Sequence, residues 1–275
     1  MKDKTVAFIG GGNMSRALLG GMVADGADPK KIWVTDLDPS KVESLAAQFG
    51  VCATSDNTHA CAQADVIVLA VKPQSIRQVV TDLAPTLHGR RTLVVSVAAG
   101  IRAADLKRWL NGDAQVVRAM PNMPALVQSG ATALYASSGV SPAQRALAES
   151  IMRAVGVVAW VADEAQMDAV TALSGSGPAY FFLLMELMEQ AGVQLGLTAE
   201  TARLLTVQTA FGAAKLALES DESPGTLRVR VTSPGGTTER ALGVFAQADL
   251  DAIVRKALAA AAARSSELAD QFGAI

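Results

Sequence analysis

Histidine, cysteine and aromatic residues are scarce in this 275-residue sequence: two His, two Cys, and only 4% Phe, Trp and Tyr together. Cys52 and Cys61 alone make no disulfide framework, and without a Cys/His cluster around them no zinc site is expected. Neither sign of charge dominates, since 24 Lys and Arg stand against 26 Asp and Glu for a net charge of -2. Nucleic acid and polybasic membrane contact both need a cationic face, so neither partner is expected. Long apolar runs are missing too. The longest uncharged stretches, 119–144 and 169–185, are interrupted by Pro, Gly and Ser, and neither is built to span a bilayer. The run over 6–9 is too short for a signal-peptide core. These absences lead to the expectation of a soluble, cytoplasmic protein.

Apolar residues, by contrast, are abundant at 50% of the chain, against 18% charged. Such a composition can bury a sizeable core, and its apolar share points to extra surface buried between subunits.

Over the first 160 or so residues, short β-rich runs alternate with helical stretches. Strands are expected over 5–9, 31–35, 66–71, 92–97, 114–118, 132–135 and 157–161. Helices are expected over 15–24, 39–49, 74–87 and 142–155. The strands are near-continuous apolar runs, as in a sheet covered by helices on both faces. This repetition predicts an α/β fold with a doubly wound, mostly parallel sheet. Beyond Val161 the texture changes. Asp163 and Gln166 resemble a capping box, and helices follow over 164–173, 178–195, 199–220, 238–247 and 250–272. The division expected is therefore a dinucleotide-binding domain over 1–162 and an all-α domain over 163–275.

The helix over 178–195 is apolar on nearly every side, from Ala179 and Tyr180 through Phe181, Phe182, Leu183, Leu184 and Met185 to Leu187 and Met188. A helix of that kind must be surrounded. Five helices bury too little surface to do this alone, so a second subunit is expected to complete the domain. The alternative is burial against the first domain.

Gly10-Gly11-Gly12-Asn13-Met14-Ser15 follows the first strand and opens the first helix, fitting G-x-G-x-x-[G/A] with Ser in the last place. The first glycine allows the tight turn, and the second lets backbone approach a pyrophosphate. The third site needs only a small residue, and the helix N-terminus offers free N–H groups to the phosphates. This is the expected dinucleotide site, of Rossmann type. Asp36 ends the second strand, where an acidic side chain accepts hydrogen bonds from the adenosine ribose and repels a 2′-phosphate. Lys41 lies a few residues on, so NADH and NADPH both stay open, and Asp36 could instead cap the helix beginning at Pro39. Ala70-Val71-Lys72-Pro73 leaves another strand and should line the same cleft. In Met120-Pro121-Asn122-Met123-Pro124, Asn122 either faces the nicotinamide or satisfies the backbone of the turn.

The second domain lacks a general base: both histidines, His59 and His88, lie in the first domain, and Lys215 and Lys256 are the second domain's only lysines. It does hold Thr232-Ser233-Pro234-Gly235-Gly236-Thr237-Thr238, a sharp turn in which Thr237 can cap the following helix. Successive N–H groups and hydroxyls there make either a receptor for a small carboxylate or a capping turn. A second turn, Leu173-Ser174-Gly175-Ser176-Gly177-Pro178-Ala179-Tyr180, permits close backbone approach.

Taken together, these motifs make the chain resemble the pyrroline-5-carboxylate reductases nearly end to end, over 8–14, 70–73, 120–124, 168–180 and above all 231–238. The resemblance implies reduction of 1-pyrroline-5-carboxylate to L-proline, the last step of proline biosynthesis, with hydride from NADPH or NADH. It carries cofactor contacts onto Ile9, Gly10, Gly11, Gly12, Asn13, Met14, Asn57, Ala70, Val71, Lys72 and Pro73, beside Asp36. Substrate contacts fall on Ser233, Gly236, Thr237 and Thr238, with Glu164 near the bound product. It further implies an intertwined homodimer that in this family often builds rings of dimers. Two departures from the family pattern are Ser15 and the basic Arg228-Val229-Arg230. The missing base is then no obstacle, because a protonated cyclic imine needs positioning, with Thr238 at the ring nitrogen. A β-hydroxyacid dehydrogenase would carry a lysine after the glycine turn, where this chain reads Gly177-Pro178-Ala179-Tyr180-Phe181-Phe182. A non-catalytic nucleotide sensor would show a degraded 232–238 loop.

Overall fold

The computed structural model describes residues 4–112 and 114–274. In chain order its elements are β1 Val6–Ile9, α1 Asn13–Ala24, β2 Ile32–Thr35, α2 Pro39–Phe49, β3 Cys52–Thr54, α3 Asn57–Gln63, β4 Val66–Leu69, α4 Pro73–Leu87, β5 Leu93–Ser96, α5 Ala103–Trp109, β6 Gln115–Met120, β7 Gly130–Ala136, α6 Pro142–Arg153, β8 Gly156–Trp160, α7 Gln166–Val170, α8 Gly177–Gln194, α9 Ala199–Glu219, α10 Pro224–Arg230, α11 Thr237–Gln247 and α12 Leu250–Ala274.

The eight strands form one sheet in the order β3-β2-β1-β4-β5-β6-β7-β8. Successive side chains of a strand face opposite sides, and two cores result. Val6, Phe8, Val66 and Val68 pack with α1, α2 and α6 on one face. Ala7, Ile9, Ile67 and Leu69 pack with α3, α4 and α5 on the other. That double cover explains why β1, β4 and β5 are buried throughout. Cys61 lies in the second core, where burial pushes its thiol up to about 12, so it behaves as a small core hydrophobe.

Three differences from the expected strand–helix plan have physical causes. Strand β7 pairs antiparallel with β6, because only the short 3-10 turn Met123–Val127 joins them and a parallel return needs a longer crossover. Strand β3 was not expected; it has three residues and pairs with β2 at the sheet edge. Helices α3, α5 and α10 were not expected either, and each is seven residues long, too short for a periodicity signal.

Packing divides the chain into two units. One holds the residues up to Ser176 together with those from Ala260 onward, and the other runs from Gly177 to Ala259. The last strand ends just before the change of texture at Ala162, while the final turns of α12 pack with α5 and α7. The Ser265 hydroxyl donates to Asp168 Oδ1 at 2.6 Å, Arg102 pairs with Asp270 at 2.6 Å, and Arg108 donates to the Gly273 carbonyl at 2.8 Å.

In the other unit, only Gly177, Ala202 and Thr206 are buried. Phe181 and Phe211 remain 64% and 61% exposed, and Leu218 80%. The apolar surround expected for α8 is therefore absent within a single chain.

Candidate active site

Strand β1 sits between β2 and β4, where the strand order reverses, and ligands of doubly wound sheets bind outside the carboxyl ends at that point. Here the Gly10 N–H donates to the Thr35 carbonyl at 2.9 Å and the Ala70 N–H to the Ile9 carbonyl at 2.8 Å. Gly10 has φ +107°, and a Cβ there would lie 2.7 Å from the Ala70 oxygen, so only glycine closes this junction. At Gly12 a Cβ would meet nothing within 4 Å. The backbone there borders open space, as a phosphate approach requires. Gly12 is also the N-cap of α1, and no side chain caps it, so the first N–H groups of this twelve-residue helix are left for an anion. Ser15, in the third motif position, is fully buried and its hydroxyl donates to the Gly10 carbonyl, which makes the departure harmless.

A cleft of about 490 Å³ opens here. Of the expected cofactor residues it is lined by Ile9, Gly10, Gly12, Asp36, Asn57, Ala70, Val71 and Lys72. The others flank it: Gly11 through its N–H, Asn13 and Met14 as the first residues of α1, and Pro73 as the first of α4. Thr35, Leu37, Asp38, Ser75 and Val79 also line it and were not singled out from sequence. Thr35 directly precedes Asp36, and its hydroxyl donates to Asn57 Oδ1 at 2.6 Å.

Asp36 does not cap α2; Asp38 does, accepting from the Ser40 N–H. The Asp36 carboxylate instead accepts from the Gly11 N–H at 2.8 Å and the Asp38 N–H at 3.0 Å, with Lys41 Nζ at 3.5 Å. Burial raises the cost of charging Asp36, but the Asp38 and Gly11 N–H groups and the Lys41 ammonium outweigh it and hold the carboxyl below its ordinary range.

Asn122 takes the second of its two expected roles. Its amide nitrogen donates to the Ser174 carbonyl at 3.2 Å and its oxygen accepts from the Ala131 N–H at 2.9 Å, so it satisfies turn backbone. Ser174 belongs to a π-helical turn, Thr171–Gly175, where a Cβ on Gly175 would meet Met120 Cε at 2.4 Å. The glycine of this turn serves helix-to-strand packing. Ahead of it, Gln166 Oε1 accepts from the Asp163 N–H while Asp163 Oδ1 accepts from the Ala165 N–H, a variant of the expected capping box. Glu164 Oε1 accepts from Arg118 at 2.7 Å and from the Ala103 N–H at 2.7 Å. Arg118 is largely buried, and Ala103 opens α5.

In the second unit, Thr232–Thr238 forms the expected turn. Gly235 has φ +70° and its N–H donates to Glu239 at 2.7 Å. Gly236, and not Thr237, is the N-cap of α11, and no side chain caps it. The Gly236 N–H donates to the Ser233 carbonyl at 3.0 Å, closing the turn. The N–H groups of Thr237 and Thr238 begin an eleven-residue helix with no intrahelical partners. Of the basic residues before the turn, Arg230 pairs with Glu222 at 2.6 Å. No lysine follows the glycine turn on α8, which removes the β-hydroxyacid dehydrogenase alternative on its defining residue.

The fold and the switch-point cleft define a dinucleotide-dependent oxidoreductase. Two family models match, one described as NADP oxidoreductase coenzyme F420-dependent over residues 5–100, the other as pyrroline-5-carboxylate reductase dimerisation over residues 164–268. The chain is 50% identical over 273 residues to the pyrroline-5-carboxylate reductase of Pseudomonas aeruginosa, covering 99% of this chain and 100% of that protein. Its structure is similar to that of a pyrroline-5-carboxylate reductase from Coxiella burnetii, with TM-score 0.93, 48% identity, and 96% and 98% of the two chains covered. The Plasmodium falciparum pyrroline carboxylate reductase with NADP bound gives TM-score 0.86 at 27% identity over 98% and 99% of the chains. The chain belongs to the pyrroline-5-carboxylate reductase family. Among the described residues, no helix is long and apolar enough to cross a membrane.

Proposed function

We propose that this chain reduces 1-pyrroline-5-carboxylate to L-proline in the cytoplasm, as a homodimer able to assemble into rings of dimers. The observation that carries the reading is the start of α11, uncapped by any side chain, in a member of this family. An anionic carboxylate is the ligand such a helix start takes best. Ser233 and the N–H groups of Thr237 and Thr238 hold it, while Gly236 supplies shape, since a Cβ there would come 3.0 Å from the Ser233 oxygen. The Thr238 hydroxyl meets the ring nitrogen. A nicotinamide dinucleotide, when bound, would supply the hydride for reduction of the C=N bond. The cleft residues Ile9, Gly10, Gly11, Gly12, Asn13, Met14, Asp36, Asn57, Ala70, Val71, Lys72 and Pro73 hold the dinucleotide. Glu164, near the bound product, acts through Arg118 and the Ala103 N–H to position β6 and the start of α5. The nearly coreless second unit supports the homodimer: the exposed faces of α8 and α9 require a partner, and a second copy presents the same faces.

The test is the absorbance of reduced cofactor on mixing the enzyme with 1-pyrroline-5-carboxylate, with NADH and NADPH in parallel. Oxidation of at least one is expected, and loss of neither signal overturns the reading. Thr238→Ala should lower turnover about ten- to hundredfold, the scale of one polar contact of roughly 1–3 kcal/mol. Unchanged turnover would remove Thr238 from the reaction.

A further inference from the structure

We propose that this chain binds NADH in preference to NADPH, and that the Asp36 side chain, fixed across the cleft wall from the glycine loop, sets that preference. The inference rests on the reading of the cleft as the dinucleotide site.

Asp36 stands directly after β2, one strand over from Gly10–Gly12, where the adenosine ribose of a dinucleotide lies in doubly wound folds. Its two oxygens are each held by a backbone N–H, from Gly11 and from Asp38. Backbone donors cannot swing aside, so rotating the carboxylate away from an incoming anion would break both hydrogen bonds. Asp38, on the same wall, is fixed in the same manner by the Ser40 N–H at 3.0 Å and the Ser40 hydroxyl at 2.6 Å.

A 2′-phosphate would need donors at this wall, and two side chains that could donate there are already engaged. The Ser40 hydroxyl gives its proton to Asp38, and the Lys41 ammonium lies within ion-pair distance of Asp36. Lysine 72, the other cation lining the cleft, follows β4 on the opposite side of β1. A phosphate dianion would therefore meet two hydrogen-bonded carboxylates against one lysine that must first leave its partner. A ribose 2′-hydroxyl meets the same wall as a donor facing a preset acceptor. The difference between the two ligands is one screened like-charge contact, about tenfold or more in affinity.

Isothermal titration calorimetry of the intact oligomer with NADH and NADPH reads this without turnover. The wild type should bind NADH about tenfold tighter or better. Asp36→Ser should weaken NADH, strengthen NADPH and bring the ratio near one. Asp36→Asn keeps an acceptor for one of the two N–H groups and should shift the ratio in the same direction; circular dichroism confirms that both variants are folded. Equal or tighter NADPH binding by the wild type overturns the proposal, as does a ratio unmoved in both folded variants. Failure of either dinucleotide to bind the wild type would instead remove the cleft assignment itself, and the preference with it.

Discussion

The Arg118–Glu164 pair separates a positioning role for Glu164 from a direct substrate role. One carboxylate oxygen accepts both the Arg118 guanidinium and the Ala103 N–H at 2.7 Å. The Arg118 side chain is 9% exposed and that of Glu164 22%. Helix α5 has no capping side chain at its own N-cap, Arg102, so Glu164 supplies from a distant part of the chain the acceptor that the helix start lacks. Removing one partner of a buried pair strands the other charge, at about 3–5 kcal/mol when both are fully buried. Water reaches Glu164, so Glu164→Ala is expected to destabilise by about 2–3 kcal/mol, including roughly 1 kcal/mol for the Ala103 bond. Glu164→Gln keeps an acceptor oxygen and should lose about 1–2 kcal/mol. Arg118→Met, combined with Glu164→Gln, completes a double-mutant cycle with an expected coupling of about 1–2 kcal/mol. The assay is urea unfolding by circular dichroism at one fixed protein concentration, because subunit association adds to apparent stability. The Michaelis constant for 1-pyrroline-5-carboxylate is measured alongside. A coupling near zero, with an unchanged unfolding midpoint and a strongly raised Michaelis constant for Glu164→Gln, would refute the positioning role.

Two further outcomes follow from the cleft. Gly10→Ala places a Cβ 2.7 Å from the Ala70 oxygen at φ +107° and should lower stability by about 2–4 kcal/mol. Gly12→Val meets open space, so it should melt close to the wild type yet lose dinucleotide affinity in calorimetry; normal affinity would mean that no ligand approaches this backbone. The lowered carboxyl of Asp36 predicts a pH signature. A depressed folded-state value contributes stability above the ordinary 3.8, and that contribution vanishes as pH falls through the lower folded value. Wild type should therefore exceed Asp36→Asn in stability by a constant margin from pH 7 to about 5, with the gap closing below 3.8. A margin unchanged in acid would show that the Asp36 charge carries none of it.

The first unit was largely legible because its signals are local. Buried strands read as apolar runs, Pro39 and Pro142 stand at helix starts, and Gly10–Ser15 stands where a strand meets a helix. What escaped notice was too short to carry a period, such as β3 and α3, or depended on crossover length, such as the direction of β7. Asp36 and Asp38 show the limit within a single motif. Both precede Pro39 closely enough to cap α2, and composition does not separate them. Geometry does: Asp38 adjoins the proline at the first helical position and reaches Ser40, which leaves Asp36 for the glycine loop.

Contacts that join distant residues were the least legible. Glu164 meets Arg118 and Ala103 across separations of 46 and 61 residues, and no spacing rule links those positions. In the helical unit the long helices were legible, but what packs against them was not. A helix that faces one core advertises it as a stripe, whereas α8 spreads Phe181, Phe182, Leu183 and Leu184 over consecutive positions and so around its whole circumference. That pattern says the helix is surrounded without saying by what. With only Ala202 and Thr206 buried along α9 and Gly177 at the start of α8, one chain does not supply the surround. The helix boundaries of this unit were legible to within one or two residues; what the sequence leaves open is the surface that covers its apolar faces.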